Sequence, residues 1–136
     1  GGTLVTQQTA EWNAEKAQQI VQSVIDSGES FNVIYAENDD MAKGAVAALD
    51  KANIPHGVGK DVIVMGFDCN KWALEELLNQ NWNYDGQCNP FQASYIDDII
   101  KKIEAGETIS EKTIIMDEKG FDASTITQAD VDQYGI

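Results

Sequence analysis

The chain has 136 residues, of which 43% are apolar and 24% charged, and this size and composition are typical of one folded globular unit. Nine basic side chains against 23 acidic ones leave a net charge of −14. This charge opposes binding to phosphate backbones and anionic lipid surfaces, so we exclude nucleic acid as a partner.

The reactive side chains are too few for catalysis or metal binding. Cys69 and Cys88 lack CxxC spacing and His56 is the only histidine, so zinc or nucleophilic chemistry has no partners. No GxGxxG or P-loop motif follows a strand, so no nucleotide cofactor is predicted. The two cysteines are either separate small thiols or a disulfide between neighbouring strand ends.

In the first half of the chain, strand and helix patterns alternate. Leu4 to Thr6 is a short strand candidate, and the helix that follows ends at Gly28. Phe31 to Ala36 is predicted as a buried strand, with Asn38 or Asp39 as the N-cap of a second helix. The inner faces of the two helices are predicted from apolar residues at helical spacing: Ala17, Ile20, Val21, Val24 and Ile25, then Ala42, Ala45, Val46 and Leu49.

The second half continues the alternation. Asp61 to Met65 is a strand with a polar tip at 66–70, and Trp82 to Cys88 is a more polar strand. Asn89 and Pro90 are predicted as N-cap and first residue of a helix that Gly106 closes. Thr113 to Met116 is a fifth strand candidate. The remaining expectations are a short helix with Leu74, Leu77 and Leu78, an apolar helix face with Ile96, Ile99, Ile100 and Ile103, a turn at Gly120, and a terminal helix opened by Thr127 and Asp130.

This alternation predicts the α/β class, with a parallel sheet that carries helices on both faces. In such sheets ligands lie outside the carboxyl ends of the strands. Each predicted strand end is followed by polar or aromatic residues: Trp12, Asn38 to Asp40, Asp68 and Asn70, and Gln87 to Asn89.

These side chains suit a hydroxyl-rich ligand such as a sugar. Carboxylates accept hydrogen bonds from neighbouring hydroxyls, amides both donate and accept, and an indole packs on C–H patches. Each residue also has a local interpretation: Asn38, Asp68 and Asn89 as caps or turn residues, and Trp12 as a hydrophobic staple on its helix.

The segments VIYAENDDMAKGAVAAL, DVIVMGFD and QCNP resemble the C-terminal half of the type I periplasmic sugar-binding proteins of ABC transporters, of the ribose, galactose and galactofuranose kind. The superfamily also contains the effector domains of LacI-type repressors. The resemblance implies that Asn38 and Asp68 bind sugar hydroxyls and that Trp12, in the AEWN segment, stacks on the ring. It also implies a polar contact near Cys88, which we assign to Gln87 or Asn89.

The resemblance implies a division of the chain and a function. Residues 1–90 would form the sugar-binding part of the C-terminal lobe, and 91–136 a hinge-crossing segment that belongs partly to the N-terminal lobe. We expect a non-enzymatic monosaccharide receptor that serves an ABC permease outside the cytoplasm, in the periplasm or as a cell-surface lipoprotein. The alternative is the effector-binding domain of a LacI-type repressor. The apolar face of the fourth helix leads us to expect that the chain either self-associates or is a piece of a longer protein.

Overall fold

The computed structural model describes all residues, 1–136. It contains five helices and four strands in the order α1 (Ala14–Asp26), β1 (Val33–Tyr35), α2 (Asp39–Lys51), β2 (Ile63–Asp68), α3 (Lys71–Leu78), β3 (Tyr84–Gln87), α4 (Ala93–Glu104), β4 (Gly120–Asp122) and α5 (Gln128–Tyr134). No helix is long and apolar enough to cross a membrane.

The four strands form one sheet in the order β1-β2-β3-β4. β1, β2 and β3 are parallel, whereas β4 runs antiparallel to β3. The α/β class is therefore confirmed, and the parallel part of the sheet is formed by three consecutive strands. Their carboxyl ends lie at one edge, as the sequence predicts.

The two faces of the sheet differ. Val64 of β2 and Phe121 of β4 are buried in a core shared with α2, α3 and α5, whose apolar side chains include Leu49, Leu74, Leu77 and Val131. Side chains of the opposite face alternate with these. Val33, Tyr35 and Ile63 on that face are 47%, 60% and 41% exposed. Ile34 and Ala36 face the core instead, so the predicted burial of β1 is correct for one face of the sheet and wrong for the other.

Helix α1 packs on α2 through a close backbone approach. A Cβ atom at Gly44 of α2 would lie 2.0 Å from the carbonyl oxygen of Ala14, the first residue of α1. Only glycine permits this contact without separating the two helices. Through it, the start of α1 is held against the N-terminal half of α2.

Three of the predicted helix ends are confirmed by the observed caps. The Asn38 side chain accepts a hydrogen bond from the backbone N–H of Met41 at 2.9 Å and starts α2. Thr127 and Asp130 form the predicted capping box of α5. Gly106 follows α4 with a φ of 76°, as expected for a residue that ends a helix.

Two strand predictions are wrong. Leu4 to Thr6 has no strand neighbour, and Leu4 is 74% exposed. Thr113 to Met116 is irregular, and Ile115 is 87% exposed. The strand near this point is instead Gly120–Asp122, where a turn was predicted, because Phe121 is the apolar side chain that reaches the core. Strand composition favours a sheet only where such a packing partner exists.

The start of α4 also differs from its prediction. Asn89 and Pro90 are not the N-cap and first helical residue, because α4 begins at Ala93 after Gln92. Asn89 Oδ1 instead accepts a hydrogen bond from the backbone N–H of Phe91 at 2.9 Å. This bond closes a local turn, and asparagine is a preferred residue in such turns. No residue of α4 is buried.

Candidate functional site

The carboxyl ends of β1, β2 and β3 form a polar rim that contains three of the predicted ligand-binding residues. Asp68 at the end of β2 is paired in register with Gln87 at the end of β3. Asn38 follows β1 by three residues and starts α2. The structure therefore brings Asn38, Asp68 and Gln87 together at one edge of the sheet.

Asn38 has both a local and a site role. Its side-chain oxygen caps α2, and the residue is 7% exposed. The same side chain and the backbone N–H of Asp39 lie close enough to the Asp68 carboxyl to lower its pKa. The cap thus places the Asn38 amide beside the neighbouring carboxylate, so the local interpretation and the site interpretation are both compatible with the structure.

Asp68 is held in an unusual conformation and environment. Its φ is 126°, and that of Cys69 is 62°. Two successive non-glycine residues with positive φ are rare, and such strain is concentrated at functional sites. Burial raises the pKa of Asp68, and the negative charge of Asp40 adds to this rise, while the hydrogen bonds from Asp39 and Asn38 oppose it.

Gln87 and Asn89 differ in how they are used within the chain. Gln87 Oε1 accepts the backbone N–H of Lys119 at 3.2 Å, and its amide nitrogen has no hydrogen bond within the chain. The Asn89 side chain is engaged by Phe91, and its backbone N–H donates to the carboxylate of Glu118 at 2.8 Å. Gln87, which is in register with Asp68, is the better placed of the two.

Trp12 does not follow a strand of the sheet. It precedes α1, it is 75% exposed, and its φ is 55°. No hydrogen bond or aromatic contact joins it to Asn38 or Asp68, and the first strand that was expected to place it on the rim does not form. Its position near α2 follows from the contact between Ala14 and Gly44.

The sequence analysis missed a pair of buried aspartates beneath the rim. Asp39 and Asp85 are both 0% exposed. Burial is the largest cause that raises the pKa of Asp39 to about 6 and that of Asp85 to about 9. One signal was available: Asp85 is a carboxylate in the middle of a strand of a small sheet, where an ionised side chain requires a partner.

Of the two cysteines, Cys69 lies beside the buried aspartates, with its sulfur 3.9 Å from Asp85 Oδ1. Cys69 is buried and Cys88 is exposed, and the two are not bonded to each other. Burial, reinforced by the charge of Asp85, raises the pKa of Cys69, which makes its thiol inert. His56 contacts the carboxylate of Asp50 at 3.0 Å and the carbonyl oxygen of Asn81 at 2.9 Å.

Comparison with known proteins identifies the family. Residues 1–106 match the periplasmic binding protein domain, and the chain belongs to this family. This agrees with the resemblance of its ENDDMAKG and GFD segments to type I sugar-binding proteins.

Three relatives illustrate the likeness. The fructose import binding protein of Bifidobacterium longum is 30% identical over 128 residues, which cover 93% of this chain and 38% of that protein. The galactofuranose-binding protein of Escherichia coli is 24% identical, with coverage of 80% of this chain and 35% of that protein. A crystal structure from Mycobacterium smegmatis in complex with β-D-fucofuranose matches with a TM-score of 0.78 and 27% identity, over 96% of this chain and 40% of that one.

These relatives define the class and its limits. They are binding proteins rather than enzymes, and the family indicates a location outside the cytoplasm. The matched region spans between a third and a half of the length of these three relatives.

Proposed function

We propose that the chain is the C-terminal part of a sugar receptor that serves an ABC importer, and that it contributes half of a monosaccharide site. The observation that carries this proposal is the adjacency of Asn38, Asp68 and Gln87 at the carboxyl edge of a sheet in a periplasmic binding protein domain. Its relatives are import binding proteins, which favours this function over the repressor alternative.

Each residue has a defined role in this proposal. Asp68 accepts hydrogen bonds from two sugar hydroxyls, and the Asn38 amide, beside that carboxylate, also hydrogen-bonds the sugar. Gln87 donates through its unpaired amide nitrogen, with Asn89 as the second choice. Trp12 provides an exposed ring for stacking on the C–H face of the sugar. A second lobe, in the longer parent protein, closes over the ligand and docks to the permease.

The proposed division of the chain is supported by the burial pattern. Residues 91–108 contain no buried side chain, whereas Phe121 and Val131 return to the core. In this proposal α4 belongs to the N-terminal lobe of the parent. Residues 120–136 pack with residues 1–90 and belong to the C-terminal lobe. The exposed apolar side chains of α4 are Tyr95, Ile96, Ile100 and Ile103.

This exposed face supports self-association of the 136-residue chain, because an unpaired apolar helix face marks an interaction surface. Ile100→Glu is expected to shift the chain toward monomer in light scattering, whereas Ile115→Glu, on an irregular segment, is expected to have no effect. A wild-type chain that is monomeric at all concentrations would contradict self-association without affecting the sugar proposal.

Amide correlation spectra with added sugars test the sugar site. We expect ribose, arabinose, fructose or galactose to shift the amides of Asn38 and Asp68 and the indole signal of Trp12, with affinities of about millimolar strength for half a site. Asp68→Asn is expected to abolish the shifts, and the exposed Asp98→Asn to preserve them. Spectra that respond to none of the sugars would overturn the proposal for this chain.

A further inference from the structure

The buried pair Asp39 and Asp85 has an incomplete set of hydrogen bonds. Asp39 Oδ2 accepts the backbone N–H and the side-chain amide of Asn70, at 2.8 and 3.1 Å. Asp85 Oδ1 lies 3.9 Å from the Cys69 sulfur. The other two oxygens, Asp39 Oδ1 and Asp85 Oδ2, are buried and receive no hydrogen from any donor of the chain.

No positive charge compensates this pair. None of the ion pairs of the chain includes either residue, and the titratable groups that face them from β2 and its end are Asp68 and Cys69. Two buried carboxylates with like charge and unsatisfied oxygens would be strongly destabilising. Gly66 is the register partner of Asp85, and a Cβ atom at Gly66 would lie 2.6 Å from Asp39 Oδ1. The two carboxyl groups are therefore neighbours, and a single proton between them removes both defects.

We propose that Asp39 and Asp85 share one proton at neutral pH and that this proton links α2, β3 and the end of β2 in the arrangement that positions Asn38 and Asp68. In this arrangement Asp85 Oδ2–H donates to Asp39 Oδ1, and Asp39 carries the single negative charge. The positioning half of this inference rests on the proposed sugar site, whereas the shared proton does not.

Two features of the surroundings support the assignment of donor and acceptor. Asp39 already accepts two hydrogen bonds from Asn70 and lies at the N-terminus of α2, and both features favour its ionised form. Asp85 is approached only by Cys69, whose thiol lies at 3.9 Å and whose backbone N–H lowers the pKa of Asp85 less than burial raises it, so Asp85 is the better proton carrier. The higher pKa of Asp85 agrees with this order.

Gly66 provides the space for the pair. A Cβ atom at this position of β2 would lie 2.6 Å from Asp39 Oδ1 and 2.8 Å from Cζ3 of Trp82. The unpaired oxygen of Asp39 therefore approaches the β2 backbone more closely than any side chain would permit. The carboxyl pair, the glycine and the buried indole form one packed unit beneath the rim.

The shared proton is tested by carboxyl carbon spectra recorded from about pH 4 to about pH 10, a range that covers the expected titration of the pair. We expect one aspartate signal of the wild-type chain to remain protonated at neutral pH, and the amides of Asn38 and Asp68 to shift with the same midpoint. In Asp85→Asn, whose amide donates permanently, both responses should disappear. Asp98→Asn, on the exposed helix α4, should retain them.

A second variant keeps the test decisive if Asp85→Asn does not fold. In Asp39→Asn the neighbouring charge is removed, so the midpoint of Asp85 should fall by about one pH unit or more. Full ionisation of every aspartate at neutral pH, or a shift of the pair on addition of Mg²⁺ or Ca²⁺, would overturn the shared proton. Amides of Asn38 and Asp68 that ignore the titration would overturn the positioning role. Neither readout contains sugar, so failure to bind sugar refutes only the proposed function.

Discussion

Replacement of Gly66 by alanine tests the packing beneath the rim with a single methyl group. Alanine in a strand normally gains about 0.5–1 kcal/mol over glycine because it restricts the unfolded chain. Here the methyl group would lie 2.6 Å from Asp39 Oδ1 and 2.8 Å from the Trp82 ring. Asp39 and Trp82 are 0% and 1% exposed, so neither can move into solvent.

The expected loss follows from these contacts. Overpacking of a buried site costs about 1–3 kcal/mol, and displacement of Asp39 weakens its bonds to Asn70, at about 1 kcal/mol each. We therefore expect a net loss of about 1–3 kcal/mol in the free energy of unfolding.

Urea denaturation of Gly66→Ala and of a control variant, Gly120→Ala, against the wild-type chain measures this loss. Gly120→Ala is the matched control, because its methyl group meets the hydroxyl end of the half-buried Tyr84, which can rotate away, and its loss should stay below about 1 kcal/mol. A Gly66→Ala chain no less stable than Gly120→Ala would refute the described packing of Asp39 and Trp82.

Further outcomes follow from the caps, the core and the buried charges. Asn38→Ala and Asn13→Ala should each lower the free energy of unfolding by about 1 kcal/mol in urea melts, because each removes an N-cap bond of 2.9 Å; equal stability to wild type would contradict the caps. Leu74→Ala should lower the free energy of unfolding by about 2–5 kcal/mol in the same assay, since Leu74 is 0% exposed. A smaller loss would mean that neighbouring side chains fill the cavity and that Leu74 is less tightly packed than described. Because the pKa of Asp85 is raised from 3.8 to about 9, stability should fall as pH rises between these values, and this slope should flatten in Asp85→Asn; an unchanged slope would contradict the shift. Hydrogen bonds from Lys119 and Thr127 lower the pKa of Asp130 to about 2. The contribution of Asp130 to the free energy of unfolding is therefore present above pH 3.8 and lost as pH falls toward 2. Acid melts should show a smaller acid sensitivity for Asp130→Asn than for the wild-type chain.

The elements that the sequence predicts correctly are those with a strong local signal. α2 combines an asparagine cap with apolar residues at helical spacing, and α5 combines Thr127 and Asp130 in a capping box. The rim was predictable for a related reason. In a parallel sheet, residues such as Asp68 and Gln87, which end successive strands, meet at one edge whatever the details of packing.

The wrong predictions concern segments whose structure depends on distant partners. Leu4 to Thr6 and Thr113 to Met116 have the composition of strands but no neighbour to pair with. Gly120–Asp122 forms a strand because Phe121 reaches the core and β3 offers a free edge. Asn89 was assigned to a helix start, yet its side chain is used in a turn.

The sequence by itself determined the α/β class, the helices with the caps of α2 and α5, the polar strand ends and the family, because periodicity, capping and motif spacing are local properties of the chain. Only the tertiary structure decided that Asn38, Asp68 and Gln87 share one edge of the sheet, that no strand precedes Trp12, and that Asp39 and Asp85 meet in the interior. The reason is that burial and hydrogen bonding between side chains 46 positions apart, as in this aspartate pair, depend on how the strands and helices pack and leave no periodic trace in the sequence.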